Sequence, residues 1–426
     1  MCIVLLSIFV FLGDEISDPC IVFLLLWIVI MFLYSINLYD LPQIDNTTES
    51  IISIAIISYM IGSQILGNIS RVNNRLCLCI RHRKPRSILR IVNDIHNNRL
   101  LLFLKIVGVL ILLYTGKDGL YSVLSGKSLA YIRYTLRIAT IKEGANGLLL
   151  TYIATPILYF SIAYDSACFA TNINNGSFKN SYFLTIIMIV MEIMTSGGRL
   201  IVLYTLTCAF CGYIISMHIK KNTSIKQQLQ YLIVLIICIF LMYAMVASRG
   251  NKNDVIKSTI TYLYAPISAL RKYITIFTEK GYSYCFGFLS LQGFTRIFFK
   301  LIGLDNIAIV ASVDRAYTLI DSAIYLNNMI FNSAITFIGY FYFDGGWIGV
   351  IIGSLLYGLV CKKCYLRVFS EIEIKLSSIC IYMSILCSIL FSFTSFLYAS
   401  PGCALSLFIL LLLKKSGINH IEIRNV

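Results

Sequence analysis

Ten apolar runs leave this chain few ways to fold. They lie at residues 20–38, 51–69, 100–115, 147–164, 182–195, 200–218, 229–247, 347–360, 376–396 and 403–413. A helix needs roughly 20 apolar residues to cross the hydrocarbon of a bilayer. Backbone groups in lipid must pair with one another, so runs of this length read as spanning α-helices. An opening run at 1–12 is a candidate eleventh crossing. It is short, and it lacks the basic start and small-residue cleavage site of a signal peptide. With 58% apolar and 13% charged residues, the chain falls outside the range of soluble domains. The expected class is an all-α, polytopic integral membrane protein with about 10–12 transmembrane helices.

A net charge of +15 would suit nucleic acid if the basic residues shared one surface. They sit instead in short loops between the runs, where they read as topology signals, so no nucleic-acid partner is expected. Residues 71–99 carry eight Lys and Arg against the single acid Asp94, which places this loop in the cytoplasm. Counting from it puts Lys220, Lys221 and Lys226 inside, with Lys362, Lys363, Arg367 and Lys375, and with Lys414 and Lys415. Segments 39–49, 116–146 and 248–344 fall outside. One conflict remains: the acidic stretch 13–19 also counts as inside, so the opening run reads as a half-span.

Most of the fourteen cysteines lie in apolar runs or on inner loops, as small buried hydrophobes or reduced thiols. Cys208-x-x-Cys211 and Cys361-x-x-Cys364 have metal-like spacing. Each lacks a second pair and nearby histidines, so no metal is expected. His82, His96, His218 and His420 all fall on inner segments, so a proton acceptor on the outer face would be a carboxylate. No phosphate-binding glycine loop or dinucleotide fingerprint appears, which disfavours a nucleotide-driven enzyme; no cofactor is expected.

The long polar interruption at 248–344 divides the chain into N-terminal helices (1–247), an outer segment (248–344) and C-terminal helices (345–426). Within it, 258–277 and 284–303 are apolar but broken by Pro266, Arg271, Lys272, Gly287, Gly293 and Arg296. Such segments suit helices lying at the membrane surface, with Arg271 and Arg296 reaching phosphates. Two further short spans are the alternative, and a pair would preserve the topology.

Arg199, in Ser196-Gly197-Gly198-Arg199, and Arg249, in Ser248-Arg249-Gly250, are expected at the outer mouths of successive spans. Guanidinium stays charged and forks onto phosphate oxygens, so two at one depth suit a lipid-anchored pyrophosphate. Each alone also suits snorkelling to headgroups. Glu192, inside an apolar run, needs a partner or a polar cavity. Asp344 precedes a helix in which Gly345, Gly349 and Gly353 make a packing face. It suits a helix cap or a group orienting an acceptor hydroxyl. Asn332, Asp314, Arg315 and Asp321 are further polar candidates.

These residues, in this order, resemble the bacterial Wzy-type polymerases of O-antigen and capsule repeat units. The resemblance rests on Ser17-Asp18-Pro19 leading into Phe23 to Trp27, on Ile61-Gly62-Ser63, and on the two arginine motifs. Phe331-Asn332 through Thr336 and Asp344-Gly345-Gly346-Trp347-Ile348-Gly349 complete it. The resemblance implies a GT-C-like glycosyltransferase of the bacterial inner membrane, independent of metal and nucleotide. It would join undecaprenyl-pyrophosphate-linked oligosaccharides on the outer face, with a chain-length regulator and a flippase as partners beside the bilayer. It implies Arg199, Arg249 and Asp344 as catalytic residues, and Arg271, Arg296, Arg315, Asn332 and Glu192 as substrate contacts. The alternatives are a lipid-linked oligosaccharide flippase and an O-antigen ligase.

Overall fold

The computed structural model describes residues 18–37, 40–80, 90–92, 95, 98–127, 144–171, 178–196, 200–220, 255–304, 307–327, 329–332, 335–369 and 373–413. These residues are mostly helical, with four short strands. Five of the described helices are long and apolar enough to cross a membrane, and four further apolar helices are shorter. All the apolar runs read from the sequence fall on helices except 229–247, which lies outside the described residues, as does 1–12.

The chain forms two compact units. The first comprises Met1–Ser87, Lys257–Glu371 and Ser388–Ser400. Its helix α1 (Pro19–Ile36) starts where the sequence asks it to: Pro19 opens the first turn, and the Asp18 carboxylate accepts the Cys20 N–H at 2.9 Å. Helix α2 (Asn46–Ile80) is capped by Asp45, which accepts from the Thr48 N–H at 3.1 Å and from the Thr48 hydroxyl. That hydroxyl is the main reason the Asp45 carboxyl is held below the usual carboxylate range. Phe23 of α1 stacks on Tyr59 of α2 at 3.9 Å, and Trp27, Phe337 and Tyr357 close the cluster.

The second unit comprises Ile88–Ile256, Ile372–Cys387 and Pro401–Val426. It contains β1 (Arg90–Val92), α3 (Asn98–Leu124), α4 (Gly144–Leu149), a π-turn at Leu150–Ala154 and α5 (Thr155–Thr171). Then follow α6 (Phe178–Ser196) and α7 (Leu200–Lys220). The π-turn precedes Pro156, which has no N–H to give the turn behind it; the wider turn absorbs the ring, and the Thr155 hydroxyl donates to the Leu150 carbonyl at 2.8 Å. Lys105 of α3 is fully buried. It donates to both oxygens of Asp165 on α5, at 2.7 and 2.9 Å, and to the Ser181 hydroxyl on α6 at 2.7 Å. Thr185 donates to the same carboxylate at 2.6 Å, so three helices share one satisfied polar knot.

The segment read as a polar interruption, 248–344, belongs to the first unit from Lys257 onward. It folds as α8 (Val255–Glu279), a turn region, α9 (Gln292–Ile302), α10 (Ala308–Asp321) and a hairpin of β2 (Ala323–Leu326) with β3 (Met329–Asn332). The expected helix over 258–277 is α8. Over 284–303 only the second part is helical, because Gly281 and Gly287 hold positive φ of 60° and 88° in the turns before α9. Neither α8 nor α9 is among the helices apolar enough to cross a membrane.

Helix α11 (Phe337–Phe369) is not one straight rod. Gly345 and Gly346 have non-helical dihedrals, and a Cβ built on Gly353 would strike the Phe341 ring at 2.6 Å. Twelve residues of straight helix would separate those two positions by roughly 18 Å, so the chain reverses at Gly345-Gly346. Phe337 to Asp344 therefore form a short, wholly buried arm folded against the long helix from Trp347 onward. Strand β4 (Glu373–Lys375) runs parallel to β1, and α12 (Leu376–Phe391) and α13 (Pro401–Leu413) complete the described chain.

Candidate functional site

The reversal at Gly345-Gly346 leaves the last carbonyls of the buried arm without helical donors, and the turn before α9 supplies them. Cys285 N–H donates to the Phe343 carbonyl at 2.9 Å, and Phe286 N–H to that of Asp344 at 2.7 Å. Phe286 and Gly287 take successive positive φ values of 50° and 88°. The following N–H groups of Leu289 and Ser290 then point at the Asp344 carboxylate, at 2.9 and 3.0 Å. Consecutive backbone donors make a concavity for an anion, and here a side chain of the same protein fills it. Asp344 is 4% exposed with both oxygens engaged. Because both carboxylate oxygens are taken up by the 285–291 turn, the helix-cap reading of Asp344 is replaced by a tertiary clamp. Beside it, burial first and the Asp344 charge second push the Cys285 thiol up to about 12.

The clamped turn hands over directly to α9, which faces α10 across a cavity of about 230 Å³. Phe288, Gln292, Arg296 and Phe299 line one side; Val313 and Asp314 stand on the other. At its mouth Arg296 pairs with Asp314 at 3.3 Å, with the two side chains 46% and 52% exposed, and the guanidinium lies 5.7 Å from the Tyr317 ring centre. An ion pair this exposed contributes about 0–1 kcal/mol, so a ligand can open it at little cost.

Arg315 is exposed on α10, with Nε donating to the Ala311 carbonyl at 3.1 Å. Arg271 is exposed on α8 and donates to the Gln43 carbonyl, which ties α8 to the segment before α2. Asn332 ends β3. Glu192 lies part-buried on α6, in the second unit. Arg199 and Arg249 lie outside the described residues. The structure thus gathers Asp344 and Arg296 around one turn and cleft, with Arg315 beside Asp314, and places Arg271 at a separate strap.

Sequence reasoning did not single out Gln292, or the two buried ion pairs. One is the Lys105–Asp165 knot. The other joins Lys362 of α11 to Asp18, with side chains only 5% and 1% exposed. Lys362 reads as a loop charge, yet it lies within a helix. A lone charge inside an apolar run was the available signal for Lys105, as it was for Glu192. Among the described residues, ten cysteines are buried, and Cys208 meets Cys387 at 3.4 Å.

Comparison with protein-family models, with characterised proteins and with solved structures finds no match. The fold and the site define a helical membrane protein with a folded polar segment carrying a lined cleft.

Proposed function

We propose that this chain is a multi-pass glycosyltransferase of the inner membrane that joins polyprenyl-pyrophosphate-linked oligosaccharide repeat units into a polymer. The observation that carries this reading is the cleft between α9 and α10, built on a polar segment and fixed by the Asp344 clamp. A flippase would need only short connections between spans, and the α8–α10 fold with its hairpin counts against it. A ligase that hands finished glycan to another lipid is the runner-up, disfavoured by the lack of an outer histidine in the sequence.

In this reaction the acceptor hydroxyl oxygen attacks the anomeric carbon of the growing chain. The bond to the carrier pyrophosphate breaks, the pyrophosphate leaves with the electron pair, and a carboxylate takes the hydroxyl proton. The bond energy arrives with the substrate, so no nucleotide is consumed. Stabilising the leaving pyrophosphate is then the largest contribution the protein offers, and it falls to Arg199 and Arg249. Asp344, buried and engaged, is a positioning residue in this scheme. Asp314 is the carboxylate that faces the cleft. Exposed Phe286, Leu291, Phe298 and Ile302 on and before α9 suit a helix resting in the membrane surface, where a lipid-borne substrate arrives.

The test is reconstitution in liposomes with an undecaprenyl-pyrophosphate oligosaccharide. A ladder of joined units is expected from the wild type and single units from Arg199→Ala and Arg249→Ala, with little recovery in the lysine variants. Full-length polymer from both alanine variants would refute the arginine mechanism, and no ladder from the wild type would refute the polymerase.

A further inference from the structure

Gln292 lines the α9–α10 cavity, is 3% exposed, and its side-chain oxygen has no hydrogen-bond partner. A buried acceptor left unpaired is costly, and native proteins keep few of them. Other buried hydroxyls, such as those of Ser268 and Thr336, are unpaired too, but the Gln292 oxygen belongs to a residue on the wall of a cavity that can admit a donor.

The chemistry of the walls narrows what that is. Each water occupies about 30 Å³ in the liquid, so the cavity of about 230 Å³ holds roughly eight waters, the scale of a single sugar ring. The Phe288 and Phe299 rings, 5.4 Å apart, offer apolar faces, and the polar groups are few: Gln292, Thr295 and the Arg296–Asp314 pair at the mouth. A prenyl tail would fill the space and leave the Gln292 oxygen unpaired. A phosphate would bring only acceptors to Gln292 and a negative charge to Asp314. A compact ring with apolar C–H faces and several hydroxyls satisfies all of them: one hydroxyl donates to Gln292, and others meet the carboxylate and guanidinium.

We propose that the cleft between α9 and α10 is a saccharide subsite that holds one uncharged sugar ring of the glycan through a hydroxyl donating to the Gln292 side-chain oxygen. This deepens the reading of the chain as a glycosyltransferase and rests on it for the source of the sugar. The ion pair of Arg296 and Asp314 then works as a gate of matched donors and acceptors that opens onto the incoming ring.

The experiment uses the full chain in detergent micelles and a panel of hexoses, deoxyhexoses and N-acetylhexosamines, read by saturation transfer to the sugar ring protons. Inorganic pyrophosphate and farnesyl phosphate serve as competitors. At least one sugar should bind, should resist both competitors, and should bind about tenfold more weakly to Gln292→Leu, the loss of one hydrogen bond at a buried acceptor. Thermal unfolding of Gln292→Leu should be no lower than wild type, because the replaced oxygen had no partner to lose; a structural role would lower it. No sugar binding, undiminished binding in Gln292→Leu, a lowered unfolding temperature, or displacement by farnesyl phosphate would each overturn the subsite. The same variant in the liposome assay separates the two claims. Sugar binding without any wild-type ladder keeps the subsite and removes the polymerase; a normal ladder from Gln292→Leu keeps the polymerase and removes the subsite.

Discussion

Cutting the Asp18–Lys362 pair one side at a time tests how the first unit is held together. Both side chains are almost wholly buried, and each is the other's counter-charge. Lys362→Met keeps the length and apolar stem of the side chain but removes the charge that faces a buried carboxylate. Removing one member of a buried pair costs about 3–5 kcal/mol. That is a hundredfold to several-thousandfold shift in the unfolding equilibrium. Asp18→Asn strands the ammonium instead, while its remaining oxygen still caps α1 on the Cys20 N–H, because Asn caps as well as Asp. The cap is thereby separated from the ion pair, and the loss should again fall in that range. The double variant has no stranded charge and should return to within about 1–2 kcal/mol of wild type. Unfolding in mixed micelles of increasing dodecyl sulfate can be followed by Trp27, which is fully buried in this unit, in a Trp347→Phe background. Single-variant losses that add in the double variant, instead of cancelling, would refute the pairing.

Gly358→Ala should destabilise the first unit by about 1–3 kcal/mol, because its Cβ would lie 2.1 Å from the Tyr59 carbonyl oxygen where α2 and α11 touch; denaturant unfolding measures it. Asp344→Asn puts an amide donor opposite one of two backbone N–H groups and should loosen the 285–291 turn by about 1–3 kcal/mol, seen as new proteolytic cleavage between Gly281 and Leu291. The Asp45 carboxyl titrates below its unfolded value, so its cap on α2 is complete above about pH 4 and fades as pH falls through the lowered folded value. Asp45→Ala should therefore cost about 0.5–1 kcal/mol at neutral pH and nothing in strong acid.

The helices were legible because apolar length is a local property: 20–38, 100–115 and 403–413 each declare themselves within one window and reappear as α1, α3 and α13. The buried charges were not, because each depends on a distant partner. Lys105 finds Asp165 sixty residues away, and Lys362 finds Asp18 across 344 residues. A hydropathy window averages one such charge into its neighbours. Glycine spacing misled in a similar way. Gly349 and Gly353 do pack closely, but against Phe341 of the same element, since the reversal at Gly345-Gly346 folds the arm back. The close approach between helices is made by Gly62 and Gly358, whose Cβ atoms would each strike a carbonyl of the facing helix. Of the candidate site, Asp344 and Arg296 stand out as charges in an apolar setting. Gln292 carries no charge, and only its place on the cavity wall distinguishes it.

The Asp18–Lys362 pair also bears on the acidic stretch that conflicts with a cytoplasmic placement. The positive-inside bias acts through charges that face water near the ends of the spans. A carboxylate and an ammonium that neutralise each other under burial add nothing to that sum. Asp18 and Lys362 therefore leave the count together, and Lys363 and Arg367, both exposed on the last turns of α11, keep its sign. The pair moreover sets the start of α1 level with Lys362, about two turns before the end of α11. Of the three acids at 13–19, Asp14, Glu15 and Asp18, the pair thus takes only Asp18 out of the charge count, and one contact accounts for both the burial of Lys362 within a helix and that of Asp18 beside it.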